Sequence, residues 1–423
     1  MTTPLYSVYK RESCPVGILV HRLHPTTASP SYTNQISEHS SLTPPFPHLL
    51  STISDNTHSN LNTTTSATTS LHSNHLAVHI ANMGYQILGK EAGNIGYGMM
   101  GLNRPRAADK SDDEKVEVMK AALEAGATSF NGGLFYGTPD DNSLTLLRKY
   151  FEKYPEDVKR MSLNIKGGFN FPWSADSVVD DPEGIRKSVQ TCLDLLGDKG
   201  HIDMWEMCRR VSQADYLDSL RMLDGFVKEG KIGGIAMSEV NANSIRQAVK
   251  IVKVEAVEVE ISLFQTDPLT DGICEACAEL NIPIFAYSPL GRGFLTGQIK
   301  DRADLEKVEP VLKMMPRFSE ENFHSNLKLV EQVEKWAAKK NCTMAQFAIN
   351  WVASLSKRPG MPRIIPIPSG GSLARVQENL RDVELTDADM DEVDAWLKEF
   401  IPTGARQPEM FNHWLDKTTT ADI

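Results

Sequence analysis

The sequence predicts an α/β fold: a closed (β/α)8 TIM barrel behind a disordered N-terminal extension. Three observations predict it. Eight strand-like runs alternate with helix-like runs after residue 93, and that alternation marks a parallel sheet wrapped in helices. The strand runs are β-branched and continuously apolar, as strands buried on both faces are. The polar residues fit for chemistry fall where those runs end: Asn131 and Tyr136, Lys166, Cys208, Ser238, Glu260, Tyr287 and the Pro368-Ser369-Gly370-Gly371 turn. Loops at the carboxyl ends of barrel strands share one mouth, so an enzyme is the first functional expectation.

Residues 1–84 read as the extension and 85–423 as the barrel, with no separate second domain. The extension is rich in Ser, Thr, Pro, Asn and His, as in SNLNTTTSATTSLHSNH. It carries too little apolar surface to offset its ordering entropy. Eight of the eleven histidines lie in it, at spacings that follow no ligand pattern. No metal site is expected. It has no clean secretory signal; a weak mitochondrial presequence and a mis-assigned start are equal alternatives. A cytoplasmic location, with the nucleus in addition, is the expectation.

The first strand is expected at Ile95–Met99, within KEAGNIGYGMMGLN. DDEKVEVMKAALEAGA follows at helical spacing and stops at Gly126. TSFNGG is the second strand, NSLTLLRKYFEKYP a helix and MSLNIKGG the third strand. The next helix starts with Asp181 as cap and Pro182 in the first helical position, where proline is tolerated. HIDMWEM is the fourth strand, followed by an amphipathic helix through Leu220, Leu223 and Val227 that Gly230 stops. IGGIAMS, AVEVEIS, IPIFAYS and RIIPIPS complete the strands. NSIRQAVKIVK, TDGICEACAELN and a stretch from Asn326 to Leu355 holding more than one helix lie between them, and SLARVQENLRDV is the eighth helix.

Composition narrows the function. The chain has 423 residues, 41% of them hydrophobic, and a formal charge of −11. No basic stripe offsets that charge, which argues against nucleic-acid binding. No apolar run reaches the roughly 20 residues of a membrane-spanning helix. Six irregularly spaced cysteines suit a reducing compartment, not a disulfide framework. Cys274 and Cys277 share a helical face with Ile273 and Leu280, which reads as core packing.

Within FNGGLFYG, Tyr136 stands a few residues past a strand end. A phenol can act as a general acid toward a carbonyl oxygen, but with a free pKa of about 10 it needs a nearby cation. Lys166 ends the next strand and can supply it. The alternative is a rim tyrosine and a solvated lysine. IIPIPSGGSLARVQEN runs strand, glycine turn, helix start, where backbone N–H groups can meet phosphate, with Ser372 and Arg375 in the first turn. No GxGxxG follows a strand, which disfavours a Rossmann nucleotide fold. Tyr287 either stacks on a planar ring or fills the mouth. Arg209 and Arg210 either contact an anionic or phenolate substrate or form a solvated loop pair.

FNGGLFYG, the Lys166 strand, IAMSEV, VEVEISLF, AYSPLGRGFLTG and IPIPSGGSLARVQEN, in this order over about residues 93–400, resemble the aldo-keto reductase superfamily. Within it the chain is most similar to the fungal pyridoxal reductases. The resemblance implies NADPH as cofactor and a small aldehyde as substrate, with pyridoxal favoured, hence vitamin B6 metabolism. It implies Tyr136 as general acid, Lys166 as the cation that lowers its pKa, and Asn131 and Cys208 beside them. Ser238 would hold the nicotinamide carboxamide, with Glu258 doing the same at a position usually filled by a Gln, and Tyr287 would stack on its ring. Ser288, Leu290 and Arg292 of AYSPLGRG join that cofactor site. Ser369, Gly371, Arg375, Glu378 and Asn379 match the adenosine end, with Arg375 facing the 2′-phosphate.

Two positions depart from the superfamily pattern. Asn131 stands where an Asp is usual and Cys208 where a His is usual; pyridoxal reductases resemble this chain in both. With Asn131 unable to neutralise it, Lys166 is expected to remain a full cation that depresses the Tyr136 pKa further. Aryl or aliphatic aldehydes are the alternative substrates. A cofactor-binding regulatory role, like that of potassium-channel β subunits, is the non-enzymatic alternative.

Overall fold

The computed structural model describes residues 85–103, 109–170, 177–308 and 310–416. The extension expected over residues 1–84 lies outside them. An antiparallel hairpin comes first, β1 (Gln86–Ile87) and β2 (Lys90–Glu91). Eight parallel strands follow in sequential order, from β3 (Tyr97–Gly98), β4 (Ser129–Gly133) and β5 (Ser162–Gly167) to β6 (Met204–Met207) and β7 (Gly234–Ser238). The last three are β8 (Val254–Glu260), β9 (Ile284–Tyr287) and β10 (Ile364–Pro366).

Closure joins β10 back to β3. The Gly96 and Gly98 amides donate to the Pro366 and Pro368 carbonyls, at 2.9 and 3.0 Å. Those prolines have no N–H to return, so the seam carries bonds in one direction only and both seam strands are short. This is why the first strand is shorter than the Ile95–Met99 expected. The seam is also tight: a Cβ on Gly98 would sit 2.7 Å from the Ile367 carbonyl oxygen.

The helices cover the outside: α1 (Asp112–Glu124), α2 (Ser143–Lys153), α3 (Pro182–Leu196), α4 (Gln213–Lys228), α5 (Ala242–Ala248) and α6 (Ile273–Glu279). After β9 come α7 (Asp304–Val308), α8 (Glu320–Lys339) and α9 (Met344–Ser354); α10 (Leu373–Asn379) and α11 (Asp387–Glu399) end the series. Asp181 caps α3 with Pro182 in its first turn, as the sequence indicates. Cys274 and Cys277 lie buried in the core on α6. Among the described residues no helix is long and apolar enough to cross a membrane.

The hairpin closes the amino end of the barrel. Ile87 and Ala92 pack against Met204, Ala236, Ala256, Phe285, Ile365 and Ile367. Lys90 Nζ fixes it by donating to the Val158 and Met161 carbonyls at 2.9 and 2.8 Å and by pairing with Asp203 at 2.7 Å. The chain after α11 returns to the opposite, carboxyl end. There Asp416 accepts bonds from the Asn241 amide and the Ser244 hydroxyl at the start of α5.

Candidate active site at the carboxyl end of the barrel

Alternate residues of a strand share a face. On β5 this sends Asn164 and Lys166 inward together, and on β6 it places Glu206 beside Lys166 in register. Glu258 arrives from β8 and Asn131 from β4. All five are buried. Lys166 Nζ donates to Glu258 Oε2 at 2.5 Å and to Asn131 Oδ1 at 2.8 Å, and lies 3.4 Å from Glu206 Oε1. Asn131 Nδ2 donates to the same Glu258 oxygen at 2.6 Å, and Asn164 Nδ2 donates to Glu206.

Two carboxylates therefore face one ammonium. Burial opposes the Lys166 charge, but Glu206 and Glu258 outweigh it and hold the lysine above its ordinary range. Burial and the neighbouring Glu258 push the Glu206 carboxyl up to about 8, well above the ordinary carboxyl range. The expectation that Lys166 stays uncompensated is corrected: the carboxylate absent from β4 is supplied by Glu258 on β8. Burial raises the Tyr136 phenol; Lys166 lowers it in part and Glu258 raises it again. The phenol is not depressed in this arrangement.

Tyr136 stands in a turn set by its neighbours. Gly137 has φ of +124°, and a Cβ there would meet the Asp141 carbonyl oxygen at 2.1 Å. Asn142 caps α2 and donates back to the Thr138 and Pro139 carbonyls. The Lys166 ammonium lies 6.0 Å from the Tyr136 ring centroid. Tyr136 packs against a cluster of Phe135, Phe169, Cys208 and Trp414. Phe169 meets Phe135 at 4.6 Å and Trp414 edge-on at 5.6 Å, and Trp414 stacks on Phe411 at 4.6 Å. Two of these aromatic residues come from the C-terminal segment, which thereby walls the mouth. Burial pushes the Cys208 thiol up to about 11, so it is neutral.

Ser238 ends β7, buried, and its hydroxyl accepts from Arg209 Nη1 at 3.4 Å. Arg210 turns the other way: it is buried and donates to Ser244 and Gln247, a structural role. Glu239 binds both Arg406 and the Tyr287 hydroxyl. Tyr287, Ser288 and Leu290 follow β9, and Arg292 lies 3.4 Å from Glu260, which also faces Arg406 at 3.7 Å. Ser288 and Arg292 both take positive φ, at 51° and 58°.

Ser369 Oγ accepts from the Gly101 amide at 3.0 Å, and Tyr97 donates to the Gly370 carbonyl at 2.5 Å, fixing the turn that contains Gly371. Asn379 is buried and donates to the Ser369 carbonyl at 3.3 Å, while its Oδ1 has no partner among the described residues. Arg375 is exposed and pairs with Glu378 at 2.7 Å.

The fold thus brings Asn131, Tyr136, Lys166 and Cys208 to one end, with Ser238 and Tyr287 on adjoining strand ends. Glu258, expected at the nicotinamide carboxamide, accepts bonds from Lys166 and Asn131 in this cluster. Glu206, Glu239, Arg406 and Trp414 were not foreseen. A carboxylate inside the apolar WEM strand was the available signal for Glu206; no sequence signal placed residues 406 and 414 at the mouth.

A parallel eight-stranded barrel with a phenol, an ammonium and an aromatic wall at its carboxyl mouth defines a barrel suited to carbonyl chemistry. Residues 94–398 match the aldo/keto reductase family, and the chain belongs to it. It is 37% identical over 297 residues to a Schizosaccharomyces pombe protein named "Probable pyridoxal reductase 2", covering 69% of this chain and 87% of that one. It is 36% identical over 339 residues to a Saccharomyces cerevisiae protein named "Putative pyridoxal reductase", covering 74% and 95%. A solved glycerol dehydrogenase from Gluconobacter oxydans shares the fold with a TM-score of 0.60 at 20% identity, over 74% of this chain and 93% of that one.

Proposed function

We propose that the protein is an NADPH-dependent aldehyde reductase whose favoured substrate is pyridoxal, reduced to pyridoxine. The observation that carries it is the buried Lys166 ammonium beside the Tyr136 ring, in the wall of an aromatic pocket. The two yeast relatives named as pyridoxal reductases support the substrate. A Schizosaccharomyces pombe relative, 31% identical over 320 residues and named aldo-keto reductase yakc [NADP(+)], supports the cofactor.

The residues fit a dinucleotide. Asn379 offers a spare buried acceptor beside the Ser369–Gly371 turn, and Arg375, Glu378 and Ser369 complete the adenosine end. Ser238, Tyr287, Ser288, Leu290 and Arg292 would hold the nicotinamide half. When bound there, NADPH supplies the hydride. Tyr136 supplies the proton: burial keeps its phenol protonated through neutral pH, so it can donate to the carbonyl oxygen. Lys166 and Asn131 stabilise the charge that develops on that phenolic oxygen as the proton leaves. The aromatic wall excludes water and holds a planar substrate edge toward Tyr136.

Tyr136→Phe tests the reading. Turnover of pyridoxal, followed as loss of reduced-nicotinamide absorbance, is expected to fall by about a thousandfold or more while NADPH affinity stays close to wild type. Retained turnover refutes the assigned role.

A further inference from the structure

The C-terminal segment crosses the carboxyl mouth as a strap held at both ends. At its start Asn326 of α8 grips Thr403: its Nδ2 donates to the Thr403 carbonyl and its Oδ1 accepts the Thr403 amide, each at 2.9 Å. At its far end Asp416 bonds the start of α5, and Trp414 packs in the cluster beside Tyr136. Between those anchors no residue from 404 to 412 is buried, so apolar packing does little to hold the strap. The side chain that ties this stretch to the strand ends is Arg406.

Arg406 joins two carboxylates, each of which already holds a residue of the nicotinamide half. Its guanidinium pairs with Glu239, which also takes the Tyr287 hydroxyl. Arg406 Nε lies 3.7 Å from Glu260 Oε2, and Arg292 Nη2 lies 3.4 Å from the same oxygen. The Glu239 and Glu260 side chains are only 8% and 5% exposed, so these contacts are little screened. Burial works against the Glu239 charge, yet Arg406 and Arg209 hold its carboxyl below the ordinary range. The backbone marks the same node. Glu239, Ser288 and Arg292 are three of the six non-glycine residues with left-handed φ among those described, at 52°, 51° and 58°. Such backbone persists where its surroundings over-determine it, and it gathers at ligand clamps.

We infer that Arg406 is a positioning residue that couples the nicotinamide half of the cofactor site to the C-terminal wall of the mouth, so that filling one steadies the other. The inference rests on the cofactor placement proposed above and adds an energetic link between the two sites. Were Arg292 drawn toward an anionic dinucleotide, Glu260 would depend more on Arg406, because a buried carboxylate is costly without a cation. A ring stacked on Tyr287 would likewise fix the hydroxyl that shares Glu239 with Arg406. Phe411 and Trp414, carried on the same strap, would then be held against Phe169 and Tyr136.

Binding linkage is reciprocal, so the coupling can be read from either site. The test follows hydrogen exchange in residues 400–416 with and without NADP+, and measures NADP+ and pyridoxal affinities separately and together. Both compounds are in the oxidised form, so no hydride passes between them. In wild type, NADP+ is expected to slow exchange in this segment and to tighten pyridoxal binding by about tenfold. Arg406→Gln should abolish the protection, remove the tightening and weaken NADP+ binding itself by about the same factor. Arg406→Lys, which keeps the charge without the planar fork, should retain part of each effect. Exchange unmoved by NADP+ in wild type overturns the inference. So does an Arg406→Gln strap that exchanges faster while NADP+ affinity and its effect on pyridoxal stay at wild-type values, because that is a structural role alone. Should Arg406→Gln fail to fold, the wild-type protection and Arg406→Lys decide. If pyridoxal does not bind, the substrate reading fails, while NADP+ protection of the strap still tests Arg406.

Discussion

Lys166 Nζ and Glu258 Oε2 form a 2.5 Å ion pair inside the barrel, and Asn131 bonds both partners. The pair links β5 to β8 across the interior, so the lysine's counter-ion comes from a strand far from it in sequence. The charge sits at a different strand end from the superfamily pattern, with Asn131 and Glu258 in place of an acid on β4 and an amide on β8.

If that is a compensated exchange, reversing both positions should work better than reversing one. Glu258→Gln removes the tighter counter-ion and is expected to lower kcat by about ten- to a hundredfold. Asn131→Asp in the same chain returns a carboxylate to Lys166 and should recover most of the loss. A double-mutant cycle on kcat measures the coupling. Additive effects would mean that the two positions act independently and that the exchange has no functional meaning.

At the other end of the barrel, Lys90 should matter for stability alone. Its ammonium satisfies the Val158 and Met161 carbonyls and pairs with Asp203, which is buried and also accepts the Leu163 amide at 2.8 Å. Lys90→Met leaves that carboxylate without its cation. A loss of about 3 kcal/mol is expected, seen as a lower denaturation midpoint. Per folded molecule, kcat should not change. A fall in kcat without a fall in stability would contradict the separation of the two ends.

The barrel was legible because its signals are local and repeated: buried β-branched strands, helix caps such as Asp181–Pro182, and glycines after helices. Boundaries at the seam were less so, since the shortness of β3 comes from Pro366 at the end of β10 and Pro368 just after it, more than 260 residues away in sequence. Tyr136 and Lys166 could be read because each closes a strand within a recognisable segment. The charge state around Lys166 could not. Asn131 suggested an uncompensated cation, and only the three-dimensional pairing of Glu206 and Glu258 with the same ammonium corrects it. Trp414 and Arg406 were invisible for a similar reason, since nothing local tells a C-terminal segment which end of a barrel it crosses.

The raised Glu206 carboxyl gives that buried cluster a pH signature. Its folded pKa of about 8 lies above the ordinary carboxyl value of 4.5, because burial and Glu258 disfavour its charge more than Lys166 favours it. A group with a raised folded pKa binds more protons in the folded than in the unfolded chain between those values. Its contribution is therefore full below the unfolded value and is lost as pH rises through the folded one. The groups facing Glu206 are Lys166 and Asn164 from β5, Glu258 from β8, and Tyr136 and Cys208 at the mouth. Burial raises Tyr136 and Cys208 as well, so neither ionises in that window. Glu206→Gln imitates the protonated acid and keeps the acceptor for Asn164, so it should remove the slope. Thermal midpoints of wild type and Glu206→Gln should lie closest near pH 4.5 and separate steadily towards pH 8, with the variant higher. Curves that fall in parallel across that range would show that Glu206 carries no proton in the folded protein.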